Sequence, residues 1–252
     1  MVTLSELVHY ANQFLSIEDF ADYCPNGLQV QGCSNVERLV VGVTACQALL
    51  DAALDVNADA ILVHHGYFWK GEDSRVVGIK RQRLKTLLSH DISLIAYHLP
   101  LDAHLQCGNN IQLGKILGLE VERSFATEGG PALGLIGKPI DVFTGAQFAI
   151  HVGNLLQRNP LYIPGKAPSL KRIAWCTGAA QSFITAAVEH QVDAFLTGEV
   201  SEQTVHIARE TGIHFYAAGH HATERYGVQA IGDHLAQRFE LECKFIDIDN
   251  PA

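Results

Sequence analysis

VVGVTACQALLDAALDVNADAILV, residues 40–63, is in effect written twice in this chain. Shifted by 134 positions without a gap, it falls on AWCTGAAQSFITAAVEHQVDAFLT at 174–197, where Ala45, Gln47, Ala52, Ala53, Asp59, Ala60 and Leu62 meet identical residues. Most other apolar positions meet apolar ones, as Leu49 meets Phe183 and Ile61 meets Phe195. Each copy is a short apolar run, an amphipathic run and a second apolar run, the pattern of a β-α-β unit in a mainly parallel sheet. Seven identities in 24 positions leave convergence of two such units open, and the similar order of elements after each copy favours duplication. A period this long is no solenoid repeat. It implies two related α/β lobes.

Outward from the repeat, RLVVGVTA, DAILVHH and ISLIAYHL read as strands, with QALLDAALDV and IKRQRLKTLLSHD as helices between them. RIAWCTG, DAFLTG and IHFYAAG are the matching strands of the second lobe, alternating with helices in QSFITAAVEHQ and SEQTVHIARETG. A long helix from about His221 and a strand in CKFIDID follow. At the start of the chain Thr3 and Glu6 fit a capping box, and Leu4, Leu7, Val8, Ala11 and Leu15 line one helix face. Gly and Pro gather in RSFATEGGPALG, residues 123–134, which places the boundary there: a first lobe over 1–126 and a second over 127–252. The stretch from there through NPLYIPGKAPSLKR is poorer in pattern and is read as a strand, a helix and a loop.

With 252 residues, 48% of them hydrophobic and 18% charged, the chain can bury one large core or two modest ones in a soluble globular protein. A formal net charge of −9 argues against duplex DNA as the main partner, since phosphate neutralisation selects basic surfaces. A local basic patch, KRQRLK at 80–85, leaves DNA as a secondary possibility beside its plainer reading as a solvated helix face. No apolar run approaches the roughly 18 residues that span a bilayer. MVTLSELVHYANQFL lacks the basic start and clean apolar core of an export signal. Six cysteines without a C-x-x-C pair are expected to be reduced and mostly buried, and a cytoplasmic location follows.

The chemistry gathers where the strands stop. One strand of the first lobe ends on His64-His65 and the next in YHLPLDAH, with His98 and Asp102. In the second lobe the matching strand ends on Gly198-Glu199 and the next in AAGHHATER. Sites in open α/β sheets collect at the carboxyl ends of strands. His220 and Glu224, four apart, project from one helix face. Each piece has an ordinary structural reading: a chance histidine pair, a helical ion pair, Asp102 as a helix cap. Their joint placement at matching strand ends favours metal. His64, His65, Asp102, His220 and Glu224 are five N/O ligands without thiolate, a set that suits Zn, Mn, Fe or Ni. Five exceed what one open tetrahedral ion uses and suit two ions about 3.5–4 Å apart. Two divalent ions against two carboxylates leave about +2, which acidifies a shared water and favours a small anionic substrate. His98, His104, His221 and Glu199 read as supporting groups, with His98 or Glu199 moving protons. Tyr67, Phe68 and Trp69 read as packing, with a stacking floor as the alternative, and PNG at 25–27 as a turn.

PNGLQV at 25–30, VTA at 43–45, VHHGYFWKG, HLPLDAH, AWCTGAAQSF, LTGEVSEQ, FYAAGHHATERYG and FIDIDNPA together resemble the Nif-three-like family, whose members carry the name GTP cyclohydrolase 1 type 2 homologue. The likeness is to the short bacterial branch, the YbgI type, and covers all but roughly 121–170. It implies two similar, interlocked three-layer α/β/α lobes with a dinuclear metal site between them. The family's ligand pattern maps onto His64, His65, Asp102, His220 and Glu224, with none substituted. It also implies a homohexamer, a ring-shaped trimer of dimers.

The resemblance supplies the substrate expectation: metal-bound hydroxide attacks C8 of GTP and formate is released. The residues alone supply two metals and water. GKAPSL at 165–170 lacks the glycine spacing of a P-loop, and phosphoester hydrolysis suits the same ligands. A contrasting expectation is a metal-binding, ring-shaped adaptor, DNA-associated through 80–85.

Overall fold

The computed structural model describes residues 1–127 and 132–252 and divides into two compact units. The first comprises Met1–Cys107 and Gly227–Ile248, the second Gly108–Tyr226 and Asp249–Ala252. The division therefore falls at Cys107/Gly108 and Tyr226/Gly227 rather than at 126/127. Residues 128–131, inside the glycine- and proline-rich stretch that suggested the boundary, lie outside the described residues. A turn-forming composition marks a change of direction, not a change of core.

In the first unit the chain runs β1 (Val2–Thr3), α1 (Leu4–Phe14), β2 (Gly27–Val30), β3 (Asn35–Val36), β4 (Arg38–Thr44), α2 (Gln47–Asp55), β5 (Ala60–His65), α3 (Gly78–Ser89), β6 (Ser93–Ala96) and α4 (Leu99–Ala103). The second unit takes up α5 (Asn109–Ile116), β7 (Leu119–Phe125), β8 (Gly134–Pro139), α6 (Gly145–Leu156), β9 (Leu161–Ile163), β10 (Ile173–Trp175), α7 (Ile184–Glu189), β11 (Ala194–Thr197), α8 (Glu202–Thr211) and β12 (His214–Ala217). Helix α9 (His220–Phe239) begins in the second unit and ends in the first, where β13 (Glu242–Phe245) completes the sheet.

The first unit's main sheet has the order β13-β4-β5-β6-β2, parallel except for β2 at its edge. Alternation decides which side chains go where, because successive strand residues face opposite ways. Leu39, Val41 and Val43 join Leu7, Ala11 and Leu15 of the α1 region and Val228, Ile231 and Leu235 of α9. On the other face Val40, Ile61 and Val63 pack on Leu49, Leu50 and Ala53 of α2 and Leu84 and Leu87 of α3. This gives three layers, α/β/α. Truncating one of these leucines would cost about 2–5 kcal/mol.

The second unit repeats the plan in the order β7-β8-β10-β11-β12-β9. Its centre, β10-β11-β12, is parallel, and its flanks β8 and β9 are antiparallel. The expectation of mainly parallel sheets thus holds at the centres and at β13, and gives way at β2, β7, β8 and β9. Ile173, Trp175 and Leu196 face Phe148, Val152 and Leu156 of α6, while Ala174, Phe195 and Phe215 face Ile184 and Ala187 of α7 and Ala208 of α8.

Smaller expectations are refined. The Thr3 hydroxyl accepts the Glu6 amide at 3.2 Å, half of the box read there, whereas α6 carries the full box between Thr144 and Gln147. The poorly patterned middle holds β7, β8, α6 and β9. No disulfide links the cysteines, and among the described residues no helix is long and apolar enough to cross a membrane.

Candidate functional site

In the first unit β5 delivers His64 and His65 at its carboxyl end, as its apolar run demands: Ile61, Leu62 and Val63 are fully buried, and so is His64. The Tyr97 carbonyl lies 2.9 Å from His64 Nδ1. A carbonyl only accepts, so Nδ1 donates. The other nitrogen, Nε2, faces Asp102 Oδ1 at 3.4 Å. Asp102 is the fourth residue of α4 and 8% exposed, so its reading as a helix cap gives way to a carboxylate turned onto an imidazole. His65 shares a hydrogen bond of 3.1 Å through Nδ1 with Thr44 Oγ1. Ligand-capable nitrogens of His64, His65 and His98 all lie within 4.8 Å of one another.

His98 is held by a group the sequence did not suggest. Asp22 Oδ1 is 2.7 Å from its Nδ1 and accepts the Tyr23 amide at 2.6 Å; Oδ2 accepts the Leu99 amide and the Asn26 side chain, both at 2.9 Å. Asn26 Oδ1 in turn accepts the His98 amide at 2.7 Å, so PNG is more than a turn. Burial works against the Asp22 charge, but hydrogen bonds from His98 and Asn26, with the charge of His98, hold the carboxyl at about 2. Nearby Cys24 stays a thiol: burial and the Asp22 charge push it up to about 12. Trp69 stands edge-on to His98 at 4.9 Å, while buried Tyr67 donates its hydroxyl to the Ala45 carbonyl. Tyr67 is thus packing and Trp69 walls the histidine cluster, while Phe68 between them is exposed.

In the second unit α9 opens on His220 directly after Gly219, whose φ is +98°. His220 Nδ1 lies 2.7 Å from Glu199 Oε1 and Nε2 3.1 Å from Glu224 Oε2. Burial opposes protonation of this ring, yet Glu224 and Glu199 outweigh it and raise the pKa to about 9. Glu224 is 3% exposed. Gly178, with φ +66°, makes the room: a Cβ there would come within 2.1 Å of Glu224 Oε1. Its amide donates to Thr223 Oγ1, which donates to the His220 carbonyl, tying the strand end to the first turn of α9.

Both units present one arrangement. An imidazole is fixed by an acceptor on Nδ1, and a buried carboxylate faces its Nε2. Two lone pairs in apposition need a cation between them, either a proton or a metal. At bonds of about 2.0–2.1 Å, neighbouring ligands of one ion stand roughly 3–3.4 Å apart, which is the spacing of His64 to Asp102 and His220 to Glu224. Anchoring Nδ1 on a carbonyl or carboxylate is also how ligating histidines are aimed. The donor set therefore fits a divalent ion. The His104 ring packs 4.4 Å from Phe14, and the backbone amide of His221, the residue after His220, meets the Ala252 carbonyl.

The fold is α/β, and its buried His, Asp and Glu side chains form groups that could hold a metal ion. The profile of Duf34/NIF3 (NGG1p interacting factor 3) matches residues 2–251, and the chain belongs to that family. A Pseudomonas aeruginosa protein named GTP cyclohydrolase 1 type 2 homolog is 57% identical over 100% of this chain and 99% of its own length. An Escherichia coli K12 protein of the same name is 51% identical, covering 98% and 99%. The solved structure of protein ybgI, described as of unknown function, superposes with a TM-score of 0.96 at 49% identity and full coverage of both chains.

Proposed function

We propose that the chain is a metal-dependent hydrolase in which His64, His65 and Asp102 together with His220 and Glu224 serve two divalent ions, of Zn, Fe, Mn or Ni. The observation that carries this is the twice-built pairing of an anchored imidazole with a buried carboxylate. Bound there, the ions would supply Lewis acidity and a water of lowered pKa. The protein's own groups do the rest. Asp22 keeps the ring of His98 in one orientation, leaving its Nε2 to pass a proton. Glu199, 39% exposed, orients His220 from the solvent side. The relatives' name points to GTP as substrate; hydrolysis at C8 with release of formate is the reaction proposed for it, and phosphoesters suit the same residues. The assembly implied is a homohexamer in the cytoplasm, and light scattering of the purified chain measures the first.

Elemental analysis should find about two ions per chain, and incubation with GTP and a phosphoester panel should yield product masses. His64→Ala and Glu224→Ala should each lower turnover at least about 100-fold while circular dichroism stays native. Two ions with no turnover on any substrate would overturn the enzyme reading. They would favour a metal-binding adaptor, for which α3 offers exposed Arg81 and Lys85 and no acidic residue. DNA binding through that face would weaken steeply with salt.

A further inference from the structure

Beside the His220 cluster stands Arg158, a cation with which no carboxylate of the described residues pairs. Arg158 follows Gln157, the left-handed residue that ends α6, and its amide returns to the Gly153 carbonyl at 3.1 Å. Its side chain lies flat against Gly219, the residue before His220. A Cβ on Gly219 would meet Arg158 Nε at 2.5 Å, Cδ at 2.7 Å and Cζ at 3.1 Å. Gly219 is thus bare for two reasons, its φ of +98° and the stem of Arg158. The Nε atom is buried and meets no acceptor among the described residues, and no carboxylate there pairs with the guanidinium. The neighbouring backbone is held by a second guanidinium: Arg225 Nη2 donates to the Leu156 carbonyl, two residues before Arg158.

A charged N–H taken from water without an acceptor is costly, typically by more than the 1–3 kcal/mol of a neutral one. In a chain of net charge −9 an acidic partner would be easy to supply, and none of the described residues supplies one. A guanidinium is a fork of donors that matches a tetrahedral or planar oxyanion.

We propose that Arg158 is a specificity-determining residue that binds an oxyanion of the substrate, a phosphate group, beside His220. This rests on the hydrolase reading for the word substrate, but not for the binding itself. It selects phosphorylated small molecules over their uncharged parents.

The test is calorimetric binding of inorganic phosphate, GTP and guanosine to the full chain, metal-free and metal-loaded. Arg158→Met keeps an apolar stem over Gly219 and removes the charge. It should weaken phosphate and GTP about 10-fold or more, leave guanosine and metal content unchanged, and give a melting temperature no lower than that of the wild type. Arg158→Lys keeps a point charge without the fork and should lose less, which preserves the test if the methionine variant folds poorly. Equal phosphate affinity in wild type and both variants would overturn the proposal. So would an equal loss for guanosine, which would mark a packing role. Failure of the hydrolase reading looks different: no turnover, with Arg158-dependent phosphate binding intact.

Discussion

The two units share a floor and differ at the mouth. At the amino ends of the parallel strands, Asp59 Oδ2 accepts the amides of Glu37 and Arg38 at 2.9 and 2.8 Å, and Asp193 Oδ2 accepts those of Lys171 and Arg172 at 2.7 and 2.9 Å. Strand registers match under the same displacement of 134, since Val40 pairs with Ile61 as Ala174 pairs with Phe195. At the carboxyl ends the correspondence stops. Thr44, which holds His65, becomes Gly178, while His64 and His65 become Gly198 and Glu199. The first unit carries imidazoles on the strand end itself. The second clears its strand ends to glycine so that His220 and Glu224 can arrive from α9. The scaffold is common to both units, and the three exchanges at the mouth give two different ways of presenting imidazole and carboxylate.

The sharpest way to break that comparison is to exchange the mouth residues. Gly178→Ala puts a Cβ within 2.1 Å of Glu224 Oε1 at a φ that alanine resists. It should cost more than about 3 kcal/mol and lower metal content, combining strain with overpacking. Thr44→Ala removes one hydrogen bond to His65 and should cost about 1 kcal/mol. Urea denaturation with elemental analysis measures both; equal effects would show that the mouths are not differently built.

The floors, by contrast, should behave alike. Asp59→Ala and Asp193→Ala each leave two backbone amides without their carboxylate and should each cost roughly 2–3 kcal/mol. A large cost in one unit and none in the other would undo the equivalence of the clamps.

Opposite pH windows sharpen the contrast in metal-free protein. Asp22 is held at about 2 against a usual 3.8. Its stabilisation is complete above the usual value and is lost as pH falls through about 2. His220 is raised from 6.5 to about 9, so its stabilisation is complete below 6.5 and is lost as pH rises through about 9. Each is worth about 1–2 kcal/mol once solvent screening is allowed for. Amide exchange followed across pH should show the first unit loosening in acid and the second in alkali. Asp22→Asn should abolish the acid slope and His220→Gln the alkaline one; a slope that survives its substitution refutes that assignment.

The sequence made the scaffold legible because burial imposes a pattern: Val40–Val43 and Ile61–Val63 are apolar since both faces of their sheet are covered. His64-His65 and the His220/Glu224 pair were legible because adjacency and helical spacing are local signals. Asp22 was not, because it lies 76 residues from His98 and joins it only through tertiary structure. The anchor of His64 is a backbone carbonyl, which has no side-chain letter. The hairpin β7-β8 was obscured because most of β7 is exposed and carries no alternation. The division at Tyr226/Gly227 was hidden because α9 runs through it without a break.

The smallest expected effect concerns the arginines that flank the two floor aspartates. Arg38 and Arg172 are equivalent, yet Arg38 Nη2 reaches Asp59 at 3.3 Å whereas Arg172 Nε reaches Glu122 at 3.2 Å. Both guanidinium side chains are more than a third exposed, 40% and 36%, so each pair is screened and worth less than about 1 kcal/mol. Arg38→Ala and Arg172→Ala should therefore shift the denaturation midpoint only slightly, and less at high salt than at low salt, because added ions shorten the reach of exposed charges. The backbone carbonyls of both residues accept the amide of their floor aspartate at 2.9 Å whatever the side chain is. A large loss in either variant would mean that the arginine, and not the aspartate clamp, is what fixes the strand end.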